Sequence, residues 1–143
     1  MWKQILIGII LVIITIYFHA EATRFIIQII KNRSNDNIKG RKFSRVIWVS
    51  IMVLTMLSAS IIEAIIWACC YLYLDAIKGF ENAVYFSVVT ITTLGYGDIT
   101  LYDEWKLLSA LEAAVGVIMF GWSTAIVISA VQYIYFPEQN KNK

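Results

Sequence analysis

Apolar residues run along this chain in long stretches with no strict alternation of apolar and polar positions. The first runs from about Ile5 to Ile30, free of charge as far as Phe18 and then carrying His19, Glu21 and Arg24. The second runs from about Val46 to Leu74, broken only by Glu63. The third follows Asp103, a suitable N-cap, and reaches Phe136, where Pro137 stops it. Each exceeds the roughly 20 helical residues needed to cross the hydrocarbon of a bilayer. A bilayer accepts only helices or closed barrels, and continuous runs without period-two alternation exclude the barrel. The predicted fold class is therefore an all-α membrane protein with three transmembrane helices.

A shorter apolar stretch, Glu81 to Thr92, lies between the second and third spans, after the connection Asp75-Ala76-Ile77-Lys78-Gly79. Its helix would rise only about 18 Å, too little for a core of about 30 Å. It must enter part way and return, and such a segment survives only when buried in protein or lining water. The irregular stretch Thr93 to Asp98 is thereby placed at membrane depth. The predicted divisions are an N-terminal helix at 1–30, a linker at 31–45 and a core unit at 46–136. That unit divides into helices at 46–74, 81–92 and 104–136 with the loop 93–98, and 137–143 form a short tail.

Composition agrees: of 143 residues, 59% are hydrophobic and only 15% charged, and the mean hydropathy is +0.70. The net charge of +2 is unevenly spread. Lys31, Arg33, Lys39, Arg41, Lys42 and Arg45 crowd the linker between the first two spans, opposed by Asp36. Between hydrophobic segments such a cluster marks a cytoplasmic loop rather than a nucleic-acid surface. The re-entrant loop then dips in from outside, the third span returns to the cytoplasm, and the amino terminus lies outside. Lys3 and Ala20-Glu21-Ala22 also fit a cleaved signal peptide, but cleavage would carry the basic linker across the membrane, so a retained helix is preferred. Adjacent Cys69 and Cys70 have no partner at metal spacing and imply no redox role.

Thr92-Thr93-Leu94-Gly95-Tyr96-Gly97-Asp98 follows the half-span directly. A path selective for K⁺ replaces the ion's hydration shell with rings of backbone carbonyls. Pointing successive carbonyls one way requires alternation between ordinary and left-handed backbone, which Gly95 and Gly97 adopt without steric cost. Thr93 adds a hydroxyl, and the half-helix aims its partially negative carboxyl end at a waiting cation.

These residues resemble the potassium-channel pore superfamily, whose signature reads Thr-Val-Gly-Tyr-Gly-Asp. Ala83 to Thr93, with the aromatic pair Tyr85 and Phe86, is similar to its pore helix. The likeness covers about Val46 to Tyr135. It implies a selectivity filter at Thr93, Leu94, Gly95, Tyr96 and Gly97, with K⁺ at Thr93 to Tyr96, and filter support from Tyr85, Phe86, Thr92 and Asp98. In such a family Asp98 would bond an aromatic of that pair, with Tyr85 the candidate. Gly116 falls at the hinge glycine of the inner helix, and Val117, Phe120 and Thr124 at the cavity lining. One signature without an internal repeat implies a homotetramer in a lipid bilayer, with the first helix packed outside each subunit. Leu94 departs from the usual Val, and Val89 stands where some relatives carry a carboxylate.

Ionisable groups at membrane depth are functional candidates. Glu63 and Glu112 both fall in the outer half, where they are expected to approach each other or the hydroxyls of Ser87 and Thr90 and to confer sensitivity to pH. A static, hydrogen-bonded glutamate that fixes helix packing is the plainer reading. Glu21 and Arg24 have i,i+3 spacing and can pair; His19 has no partner at clear spacing. Trp2, Trp48, Trp105, Tyr102 and Tyr135 fall near span ends as interface anchors.

No helix repeats Arg or Lys at every third position as a voltage sensor would, and no soluble ligand domain is expected after the inner helix. No cofactor is expected besides K⁺. An enzyme of the three-helix diacylglycerol kinase type is the rival class, but no Gly-rich loop with Lys-Ser/Thr is present. A channel that selects weakly among cations is the second rival, favoured only by Leu94.

Overall fold

The computed structural model describes residues 2–33 and 42–135. Four helices account for nearly all of them: α1 (Trp2–Arg33), α2 (Lys42–Tyr73), α3 (Phe80–Ile91) and α4 (Lys106–Tyr135). Three are long and apolar enough to cross a membrane, while Phe80–Ile91 falls short. The chain is thus an integral membrane protein with three spanning helices and one half-length helix. The first two spans extend into the predicted basic linker, which supplies the end of α1 and the start of α2. Residues 34–41 and the tail at 137–143 lie outside the described residues.

The third span opens at Lys106, later than expected. Asp103 does not cap it. Its carboxylate pairs with Lys106, which holds the Asp103 carboxyl below its ordinary range. A tight turn, Trp105 N–H to Tyr102 carbonyl at 2.8 Å, feeds the helix instead. Between α2 and α3, Asp75 takes a left-handed φ of 50°, and the Ala76 N–H closes on the Tyr71 carbonyl at 2.9 Å. That sharp stop lets α3 turn back toward the bundle.

α1 packs on α2 and α4, α2 on α3, and α3 on α4. The Gln4 side chain donates to the Glu104 carbonyl, so α1 and α4 begin at the same end of the molecule. At the other end the Arg45 guanidinium lies over the Tyr135 ring, 5.8 Å from its centroid. The ends rich in basic residues therefore sit together, opposite α3 and the loop that follows it.

Each spanning helix is apolar outside and mixed inside. On α1 the buried stripe is Gly8, Leu11, Thr15, His19, Thr23 and Ile26, while Leu6, Ile9, Ile13 and Phe18 face outward. This inversion of the soluble pattern follows from the solvent: lipid rewards no apolar burial, so polar groups gather where partners exist. Small residues let the backbones approach. Ala64 and Ala68 on α2 and Ala83 on α3 are fully buried in the cluster around Trp67, Tyr71 and Phe86. A second cluster, Ile26, Met52, Met56 and Ala130, joins α1, α2 and α4 lower down. Cleavage after Ala22 would strip Leu11, Thr15 and His19 from this interior.

Ala68, with no exposure, has no room for a larger side chain, whereas its neighbour Cys69 is exposed. Ala68→Leu should destabilise the protein by about 1–3 kcal/mol through overpacking, while Cys69→Leu should be near neutral. Thermal unfolding midpoints in detergent would show the contrast; equal effects would contradict this packing.

Candidate functional site

The candidate site begins at the carboxyl end of α3. There the last carbonyls of the helix are taken up by the chain that leaves it. Thr92 N–H bonds the Val88 carbonyl at 3.1 Å and Thr93 N–H the Thr90 carbonyl at 2.9 Å. Leu94 and Gly95 both point their N–H groups back to the Val89 carbonyl, at 3.0 and 3.2 Å. The Thr92 hydroxyl adds a bond to Val88 at 2.7 Å. Val89 thus anchors the loop through its backbone.

Beyond this anchor the backbone alternates. Thr93 has φ 59°, Gly95 φ 58° and Gly97 φ 79°, with Leu94 and Tyr96 between them in ordinary conformations. The two glycines are where the need for alternation places them. Thr93 was not foreseen as part of it; a β-branched residue with positive φ is strained, and the hydrogen bond from its N–H to Thr90 helps to hold it there. Alternating backbone directs consecutive carbonyls to one side, which is the geometry that replaces a hydration shell.

Supporting contacts surround the loop. Tyr85 Oη donates to Asp98 Oδ2 at 2.8 Å, tying the far end of the loop to the half-helix. Phe86 is buried and meets the Tyr71 ring edge-on, with centroids 5.3 Å apart. Leu94 and Tyr96 are exposed, at 57% and 66%. Val117, Phe120 and Thr124 are also exposed and share one face of α4.

Gly116 behaves differently from its neighbours. It is buried, and a Cβ there would run into the Ile91 carbonyl at the end of α3. Gly121 has nothing around its Cβ position. The close approach of α4 to the half-helix is what Gly116 permits.

The two buried acids do not join each other. Glu112 accepts a hydrogen bond from Tyr71 Oη at 2.7 Å and another from the Ser87 hydroxyl, uniting α2, α3 and α4. Ser87 is therefore a partner as expected; Thr90 forms no bond to either acid among the described residues. Glu63 pairs instead with His19, Oε1 to Nδ1 at 2.7 Å, and the other imidazole nitrogen, Nε2, lies 3.1 Å from Ser123 Oγ. Sequence reasoning missed this because the partners are far apart along the chain. A signal was present: Thr15 and His19 on α1 match Glu63 and Trp67 on α2 at i,i+4, and Trp67 Nε1 does donate to Thr15 Oγ1 at 3.1 Å. Glu21 and Arg24 pair at 3.6 Å on the exposed face.

Residues 55–133 match the family model described as Ion channel, the family of two-helix potassium-channel pores, and the chain belongs to that family. The match takes in most of α2, the half-helix, the loop and nearly all of α4, and leaves α1 outside. Comparisons with curated proteins and with solved structures gave no match.

A methyl group at Gly116 must push the end of α3 away and displace Val89 and Thr90, which anchor the loop. Gly116→Ala should therefore lower stability by about 1–3 kcal/mol. Melting curves would test this; unchanged stability would show that α4 and α3 can separate there freely. Glu112→Leu, which leaves the Tyr71 and Ser87 hydroxyls unpaired, should cost about 1–3 kcal/mol for each group left unsatisfied, and the melting midpoint would fall accordingly.

Proposed function

We propose that this chain is one subunit of a homotetrameric, potassium-selective channel that conducts K⁺ passively through a filter formed by Thr93, Leu94, Gly95, Tyr96 and Gly97. The observation that carries this reading is the left-handed backbone at Thr93, Gly95 and Gly97. It turns the carbonyls of Thr93 to Tyr96 into a row of potential K⁺ ligands with no charged side chain among them. Carbonyl dipoles hold a monovalent cation firmly enough to strip its water and loosely enough to release it.

The loop from Thr93 to Asp98 is exposed along its length in a single chain. Irregular backbone at membrane depth requires protein or water around it, and one strand cannot surround an ion. Four copies about an axis satisfy both demands. A groove of about 420 Å³ beside the loop, lined by residues such as Phe86, Val89, Thr90 and Ala113, offers a place for Tyr96 of a neighbouring copy. The exposed face of Val117, Phe120 and Thr124 then lines the cavity. Leu94 acts through its carbonyl, so its extra bulk relative to Val changes the packing behind the filter and leaves the ligand row intact.

In the membrane the basic ends of α1 and α2 face the cytoplasm, so α3 and the filter lie on the outside. The amino terminus is outside and the carboxyl terminus is cytoplasmic. The protein acts as a pore and not as an enzyme. With Gly116 packed against Ile91, Gly121, whose Cβ position is open, offers a second place for α4 to bend in gating.

Vesicles loaded with K⁺ and diluted into Na⁺ test the proposal, with flux followed after adding a proton ionophore. Flux should be supported by K⁺ and not by Na⁺, should be blocked by barium, and should vanish with Gly95→Asp. Equal K⁺ and Na⁺ flux would overturn selectivity and direct attention to Leu94.

A further inference from the structure

The His19 junction is not explained by the filter. Three helices meet there: His19 from α1 and Glu63 from α2 both have no exposure, and a half-buried Ser123 comes from α4. The Trp122 ring covers the imidazole edge-on, 5.4 Å between centroids. Glu63 Oε2 and the hydroxyl of Thr23, the next turn of α1, are both buried and have no hydrogen-bond partner. Among the described residues, Glu63 forms an ion pair with His19 and with no other group. The other charged groups nearby are committed elsewhere. Glu21 and Arg24 pair with each other on the exposed face of α1, and Glu112 is held by Tyr71 and Ser87. Among the described residues of α4, Ser123 and the Trp122 ring meet the imidazole.

We infer that His19 and Glu63 form a proton-operated switch that couples α1 to the inner helix α4 through Ser123. This rests on the reading of the protein as a channel, and supplies that channel with a regulator. The argument is one of valence. With one proton shared by the pair, Nδ1–H donates to the carboxylate and Nε2 is a bare acceptor, so Ser123 must donate to it. When the imidazole takes the second proton, both of its nitrogens carry hydrogen. Ser123 must then accept. Protonation of His19 therefore reverses its hydrogen bond with Ser123.

The reversal frees the Ser123 hydroxyl hydrogen, and α4 offers a place for it. Thr124 already donates to the carbonyl one turn back, Phe120, at 2.8 Å, and Ser129 does likewise to Ala125 at 2.8 Å. A further bond of this kind at Ser123 favours bending of the helix, within a turn of unconstrained Gly121 and beside Thr124.

The chain holds one histidine, so histidine labelled with ¹⁵N gives a single imidazole for the experiment. The full-length protein in lipid is followed by NMR over a pH series, with K⁺ flux measured on the same preparation. The Nε2 signal should pass from unprotonated to protonated as pH falls, and flux should change over that same range. Ser123→Ala should keep the imidazole titration yet flatten the flux response, and His19→Gln should abolish that response. The inference is overturned if Nε2 keeps one protonation state throughout, or if Ser123→Ala leaves the flux curve unmoved. Absence of K⁺ flux at every pH would defeat the channel reading instead, and the Nε2 signal would then decide the switch alone.

Discussion

A backbone that turns round halfway through a bilayer leaves peptide groups where no water can satisfy them, and much in this structure answers that constraint. The end of α3 deals with it locally, by folding the N–H groups of Thr92 to Gly95 back onto the carbonyls of Val88, Val89 and Thr90. It deals with it at longer range through Gly116, which lets α4 close over the Ile91 carbonyl. The loop beyond is then free to present its remaining carbonyls in one direction. Strain at Thr93 is sustained because its surroundings on α3 determine the backbone so completely.

Hydrophobic burial cannot hold such an assembly, since lipid is as apolar as the side chains. Buried polar ties take over. Glu112 gathers Tyr71 and Ser87, so that one carboxylate fixes α3 between two spanning helices. Thr15 with Trp67, and His19 with Glu63 and Ser123, fasten α1 to the same scaffold. Bonds of this kind have direction, and they set the register between helices in a way that apolar packing alone does not.

Length and hydropathy made the fold legible. Three spans and a half-span could be read from the sequence because bilayer thickness leaves few alternatives. The loop was legible for a similar reason, since Gly95 and Gly97 stand where alternation needs them. What could not be read was contact between distant positions. Glu63 and Glu112 were expected together because both are acids at similar depth, yet Glu63 meets His19 of α1 while Glu112 meets Tyr71 and Ser87. His19 looked isolated because its partners lie far along the chain. Asp103 was placed as a cap, but the Tyr102–Trp105 turn starts α4 later and leaves Asp103 to Lys106. The hinge expected at Gly116 was drawn from family likeness, and only the structure shows how closely the Ile91 carbonyl approaches this glycine.

The placement of α1 gives the remaining step. A helix added outside a pore needs no polar residues if it serves only as a lipid-facing sleeve; small apolar residues would pack as well. Here the buried stripe instead carries Thr15, His19 and Thr23, and each polar group at that depth costs free energy unless satisfied. Thr23 remains unsatisfied, as does one oxygen of Glu63. An interface held this way is less stable than an apolar one of the same shape would be. Ser123 is followed at once by exposed Thr124, so the contact that α1 makes with α4 lies one residue from the exposed face of that helix.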